Sequence, residues 1–386
     1  MRASNVVSAL VAVVVGFGGT VALIITAADS TGASHAQTIS WIVAVCLGTA
    51  ASSLILSARF RMPIIAAWST PGSALIAAYG IGDIHLAVGA FLVSAVLLTA
   101  AGVVPRLNDL LARIPSELAA GMLAGILVQF VTRAFSGADA APRLVLPLIV
   151  LFLVVRAWRP VWPVVSVLAA GVPLSVALGY DLAWPKDVGV SRMTWIEPHF
   201  SLATVIGLGI PLFIVTMASQ NLPGLAVLRS FGYRPHARPL LMTTGIASLL
   251  TAPFGAHATN LAAVVASVGA GEESHPDPDQ RWKTGVVYGA LYVVVAAFAG
   301  LLVALLTTLP IALVNLVAGL ALVSPLVGAL TAAVDRPDRR FAAVLAFAVT
   351  ASGLTLVQVG SAFWGLATGL MVLGIDRLAA SRRPPT

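Results

Sequence analysis

Charge is scarce in this 386-residue chain: Asp, Glu, Lys and Arg together make up 10% of it, against about a quarter of a soluble domain. With 59% hydrophobic residues and a mean hydropathy of +0.98, a water-soluble fold is excluded and an integral membrane protein implied. Cysteine is almost missing too. Cys46 stands alone in an apolar run, so no intrachain disulfide can form, and the thiol reads as a small buried apolar group. No carboxylate falls at mid-depth of any apolar run, where one would be expected for a bound cation or a protonated base. The His, Cys, Asp and Glu spacings of a metal site are likewise missing, and no nucleophile–base pair sits at mid-depth. Neither metal nor cofactor is expected, and enzymatic chemistry is the least favoured reading.

What the chain has is apolar length. Runs of ~20 apolar residues cross a bilayer. They fall at Val6–Ala27, Ala36–Ser57, Pro63–Gly80, Ala87–Val104 and Pro115–Phe135, with shorter ones at Arg143–Val155 and Val161–Gly179. The first exceeds a signal-peptide core of ~7–15 residues and reads as a span. After a polar excursion, Tyr180 to His199, the pattern restarts. It runs through Leu202–Gln220, Arg238–Leu250, Thr251–Gly271, Gly285–Thr307, Pro310–Ala333, Phe341–Leu356 and Ser361–Leu378. The expected fold is an all-α polytopic membrane protein of about 14 segments, one half in residues 1–200 and the other in 201–386.

An odd number of spans per half sends the second half in from the opposite side, so an internal repeat must be inverted. Two matches support one. Placing Pro71 over His257 puts Ala74-Leu75 over Asn260-Leu261, and Ile114-Pro115 through Ile126 resembles Leu309-Pro310 through Leu320. With a cytoplasmic N-terminus, only Arg133, Arg143, Lys186 and Arg192 of the 22 Lys+Arg fall outside. The expectation is a multi-pass protein of the plasma (inner) membrane with both termini cytoplasmic. The formal charge of +7 is then spread thinly along one membrane face, which removes a nucleic-acid reading.

Two of the runs are interrupted. Pro63–Gly80 is broken at Ser69-Thr70-Pro71-Gly72, and Leu249–Gly271 at Pro253-Phe254-Gly255-Ala256-His257. Broken segments at matching places in two halves point to a transporter's binding site, because the freed backbone groups must face protein or a cavity. Half-helices are expected to start at Gly72-Ser73-Ala74 and Ala258-Thr259-Asn260, where unpaired N–H groups would favour an anion. Ile64–Trp68 and Leu250–Phe254 are expected to be extended and to pair. Ser69, Thr70, Ser73, Thr259 and Asn260 supply neutral donors, while Trp68, Phe254 and Phe17 offer faces to an apolar or aromatic ring.

His257 is the titratable group of the breaks. It reads either as a proton-coupling or substrate-contacting residue or as a neutral cap of the half-helix. Ser219, Gln220 and Asn221 either line the cavity or close their helix before Pro223. Glu117 reads as an acid in the first turn of a helix after Pro115. Gln129, Asn315 and Gln358 read as interhelical hydrogen-bonding residues.

Taken together, Trp68-Ser69-Thr70-Pro71-Gly72, Asn221-Leu222-Pro223-Gly224, Pro253-Phe254-Gly255 with Asn260-Leu261-Ala262-Ala263, and His275-Pro276-Asp277-Pro278 with Arg281-Trp282 resemble the benzoate–proton symporters of the BenE type. The resemblance covers nearly the whole chain. It implies uptake of benzoate or a related aromatic carboxylate with protons, on the inverted-repeat fold shared by uracil-type (UraA-like) and sulfate-type carriers. It further implies a core domain (1–104 and 201–307) that carries the site and moves, elevator-fashion, against a gate domain (105–200 and 308–386). A homodimer is compatible with it. Nucleobase carriers of this fold are expected to use acids where this chain has Ser219 and Thr259, a change that favours an anionic substrate. Another anion, a nucleobase or a passive anion channel stay open as alternatives. The loop Glu272–Lys283 matches the family with no role assigned to it.

Overall fold

Apolar runs this long satisfy their backbone in a bilayer as helix, and the chain is helical over most of its described residues, 2–104, 115–159, 162–180 and 191–381 of a computed structural model. Arg106, Arg113, Lys186, Arg382 and Arg383 of the charge count, and Ile114 of the second repeat match, lie outside the described residues. The first half holds α1 (Ala3–Ser30), α2 (His35–Phe60), β1 (Ala66–Trp68), α3 (Thr70–Tyr79), α4 (Ile84–Val103), α5 (Ser116–Ala140), α6 (Pro142–Trp158) and α7 (Pro163–Ala177). The second holds α8 (Leu202–Ser230), α9 (Ala237–Thr251), β2 (Thr259–Leu261), α10 (Val264–Ala270), α11 (Trp282–Ala297), α12 (Ala299–Thr307), α13 (Ile311–Ala333), α14 (Arg340–Ala351) and α15 (Ser361–Ser381).

Among the described residues, 7 helices are long and apolar enough to cross a membrane. The expected span Gly285–Thr307 is bent instead by 63° between α11 and α12. The expected span Phe341–Leu356 stops as helix at Ala351, after which Val357 and Gln358 turn the chain with positive φ. Side chains set the ends of several helices. Ser34 caps α2 and accepts from the Gln37 N–H, Asp83 accepts from His85 and Leu86 at the start of α4, and Gly80 ends α3 at φ 59.

The first break forms as expected and the second does not. β1 covers Ala66–Trp68, and α3 begins directly after it. In the second half the expected strand at Leu250–Phe254 is absent. Residues Ala252–Phe254 form a 3-10 turn after α9, and Gly255 reverses the chain at φ 97. The strand is Thr259–Leu261, so Ala258-Thr259-Asn260 is not a half-helix start, and the half-helix is α10, from Val264. The physical reason is local. Pro253 and Gly255 are placed to end a helix and turn the chain, which needs several residues before a strand can be laid down.

The strands pair antiparallel with Ala66 opposite Leu261, Ala67 opposite Asn260 and Trp68 opposite Thr259. A two-fold through this register carries Pro71 onto Val264, not onto His257. The second match fares better, since Pro115 and Pro310 each cap the helix that follows, α5 and α13, and these two pack on each other.

The helices pack in two groups. α1–α4 pack with α8–α11, most extensively α2 on α11 and α4 on α9, while α5–α7 pack with α13–α15. α1 against α7 and α13, and α3 against α5, join the groups.

Candidate functional site

Two short strands inside a membrane domain bring backbone groups that no helix satisfies. The side chains around them answer that need. Ser53 Oγ on α2 accepts the Ala66 N–H (3.0 Å), and Ser57 Oγ accepts the Ile64 N–H (3.1 Å) and donates to Ile64 O (2.8 Å). Across the pseudo-two-fold, Ser248 Oγ on α9 accepts the Thr259 N–H (2.8 Å) and donates to Thr259 O (3.1 Å). The first residue of each strand is thus held by a serine of the preceding helix.

Several expected substrate contacts belong to this frame. Asn221 Oδ1 accepts the Leu261 N–H (2.9 Å), and the Asn260 amide, oriented with its oxygen toward Ser69, accepts the Ser69 N–H (2.8 Å). Ser69 Oγ accepts from the Gly72 N–H (3.1 Å) and from Thr216 Oγ1 (3.0 Å), which fixes the start of α3. Gly72 is needed there, as a Cβ would lie 2.7 Å from Leu212 Cδ1 and 2.8 Å from Ser69 Oγ. Thr259 Oγ1 faces α2, so close that a Cβ on Gly48 would lie 2.5 Å from it. Ser219 Oγ donates back to Val215 O (2.6 Å).

His257 is fully buried in the same frame. Trp41 Nε1, a donor and nothing else, donates to Nδ1 (3.1 Å), so the ring proton sits on Nε2. Nε2 donates to Ser69 O (3.0 Å) and lies 3.0 Å from Ser73 Oγ. The histidine therefore pins the cap residue of α3 from the second repeat.

Beside the frame lies a cavity of about 440 Å³. Trp68, Thr70 and Gln220 line it, and the other expected site residues do not. Phe17 supports Trp68 from behind, with ring centres 5.9 Å apart at 88°. Phe254 stands elsewhere, against Trp195 (5.7 Å). Gln220 reaches the cavity because Met217–Asn221 is a π-helical turn inside α8, which turns Gln220 to the cavity and Asn221 to β2. The starts of both half-helices face the cavity through Thr70 and through Ala262, Ala263 and Val265.

Tyr288 and Tyr292 of α11 complete the aromatic wall. Tyr292 meets Trp68 edge-on (5.8 Å), and the two tyrosine rings are 4.8 Å apart. Their signal in the sequence is the i, i+4 spacing of two hydroxyl-bearing rings on an apolar helix. Phe152 and Arg156 of α6, with Leu320, Ala321 and Ser324 of α13, line it from the other helix group.

Two further ionic features were not legible. Glu117 does stand in the first turn of α5, but it is buried and ion-paired to Arg339 (3.1 Å). In the Glu272–Lys283 loop, buried Arg281 donates to Ala270 O (2.8 Å) at the end of α10, to His275 O (2.7 Å) and to Pro276 O (3.3 Å). The loop thus folds a cation onto the negative end of the half-helix. Of the three expected interhelical residues, Gln129 does bridge, donating to Thr350 O (3.2 Å). Asn315 and Gln358 make no such side-chain bond among the described residues.

Residues 1–375 match the family model of the benzoate membrane transport protein. The chain belongs to this family. Its curated relatives include the inner membrane protein YdcO of Escherichia coli, 37% identical over 98% of this chain and 97% of the relative. The benzoate membrane transport protein of Acinetobacter baylyi is 33% identical over 95% of this chain and 94% of its own length. Among solved structures, the transmembrane domain of the cyanobacterial bicarbonate transporter BicA aligns with a TM-score of 0.64 at 15% identity, covering 95% of this chain and 97% of that one. SLC26A9 aligns at 0.63 and 12% identity, covering 96% and 64%. The benzoate transport family is one of membrane transport proteins, so this member is a multi-pass transporter and not an enzyme, and it has the fold of those two solved transporters.

Proposed function

We propose that the chain is a secondary active transporter that takes up benzoate or a related aromatic carboxylate with a proton. The carrying observation is the cavity: walled by Trp68, Tyr288, Tyr292 and Phe152, met by the starts of two half-helices, and lined by no acidic residue among the described ones. An aromatic ring gains from the wall, and a carboxylate gains from the positive ends of two half-helices without meeting a like charge, although the Gly72 N–H is itself taken by Ser69 Oγ. Trp68, Thr70 and Gln220 touch the substrate in this reading. Phe17, Ser69, Gly72, Ser73, Asn221, Thr259 and Asn260 hold their geometry.

The cavity's exposed residues, Arg156, Ser267 and Ser324, mark its mouth. Arg156 stands in the last turn of α6, and Ser267 near the end of α10 that Arg281 clamps. By the positive-inside rule this is the cytoplasmic face of the inner membrane, so the state is inward-facing with both termini inside. The α1–α4 and α8–α12 group is the moving core, and the α5–α7 and α13–α15 group is the gate.

The test is accumulation of labelled benzoate in proteoliposomes under an imposed pH gradient, with uracil and sulfate as competitors. Uphill accumulation that benzoate alone competes for is expected. Flux that never exceeds the gradient would make it a channel, and competition by uracil but not benzoate would overturn the substrate.

His257 carries the coupling in this proposal. A second proton at Nδ1 would face the Trp41 N–H donor, break that bond and loosen the hold on Ser69 at the start of α3. In His257→Gln, the pH dependence of uptake is expected to flatten. Unchanged pH dependence with unchanged affinity removes the histidine from this role.

A further inference from the structure

The lining of the cavity holds one formal charge among the described residues, Arg156 in the last turn of α6. Arg156 and Phe152 stand at i, i+4 on one face of the helix. Phe152 is buried and Arg156 exposed, so the wall runs from an aromatic ring within to a guanidinium at the mouth. No acid answers it. The ion pairs of the described residues join Glu117 and Asp338 to Arg336 and Arg339, and leave Arg156 without a carboxylate.

We infer that Arg156 reads the carboxylate of the substrate at the mouth of the cavity, a specificity residue contributed by the helix group other than the one that holds Trp68, Thr70 and Gln220. The inference rests on the transport reading above and deepens it. A guanidinium offers a planar fork that matches a carboxylate. At the edge of a cleft with low-dielectric walls it raises the local concentration of anions, and a neutral ring of the same shape gains nothing from it.

Position adds a second consequence. Arg156 lies on the wall shared with α7 and α13, not on the wall that holds the two half-helices. Its charge acts on the substrate when the cavity opens beside it and not when the substrate is taken to the other side. The effect of Arg156 is therefore one-sided.

Labelled benzoate transport in inside-out and right-side-out membrane vesicles tests this, with the wild type, Arg156→Gln and Arg156→Lys at low and high salt. In Arg156→Gln the half-saturating benzoate concentration on the Arg156 side is expected to rise about tenfold relative to the far side, and its salt dependence to vanish. Arg156→Lys keeps the charge and is expected to retain most of the preference and the salt dependence. Equal shifts on both faces, no shift in Arg156→Gln, or a wild-type half-saturation on the Arg156 side that ignores salt would overturn the assignment and leave the transport reading standing. Wild-type vesicles that move no benzoate overturn both.

Discussion

Small hydroxyl side chains decide whether this break can exist in a membrane. Ser53 and Ser248 each satisfy the first N–H of a strand, and both are fully or almost fully buried. Ser53→Ala or Ser248→Ala leaves a buried donor without a partner, so each is expected to lower stability by about 1–3 kcal/mol. Thermal unfolding in detergent reads the loss, and a serine whose removal leaves the midpoint unchanged is not holding its strand. At this scale the sequence was a poor guide to roles. Ser69, Asn221, Thr259 and Asn260 were legible as polar residues near a break, but a polar side chain in an apolar run can face a ligand or an orphaned backbone group with equal chemical sense. Only the register of the strands separates the two, and that register depends on residues far apart in the chain.

Helical spans follow from apolar length, and the Pro63–Gly80 break follows from Pro71 and Gly72 beside a serine cap. The second break was legible in existence and not in phase. Pro253 and Gly255 mark where a helix ends, but nothing local says how many residues of loop separate that end from the next strand. The same limit hid the role of the Glu272–Lys283 loop, whose arginine acts on the half-helix that precedes it. Removing the guanidinium strips three carbonyls of a charged donor. Arg281→Gln is therefore expected to raise amide hydrogen exchange across Val264–Ala270 while leaving α3 protected. Arg281→Lys should restore part of the protection, since a lysine keeps the charge at the helix end but cannot fork. Equal exchange in wild type and Arg281→Gln would remove the loop as a clamp.

For the molecule as a whole, the proposed movement of core against gate has a direct physical handle. α1 meets α7 where a Cβ on Gly19 would lie 3.9 Å from Val164 Cβ, within the ~3.5–4.5 Å of a disulfide. With Cys46→Ser removing the native thiol, Gly19→Cys with Val164→Cys is expected to cross-link under oxidation, stop net uptake and recover it on reduction. Full uptake by the cross-linked protein would rule out relative motion at this contact. The family and the helical fold were legible in the sequence, whereas of the two matches read as a repeat the Pro71–His257 one is out of phase with the strand register. The walls of the cavity were not legible, because beside the two breaks they come from α1, α6, α7, α8, α11 and α13, segments that the chain brings together only on folding. Trp68, the one tryptophan among the described residues that lines the cavity, is held edge-on between Phe17 and Tyr292. If Trp68 meets the substrate as proposed, filling the cavity changes the surroundings of its indole, and its emission, isolated from that of the other seven tryptophans by a Trp68→Phe control, reports occupancy without label, gradient or turnover.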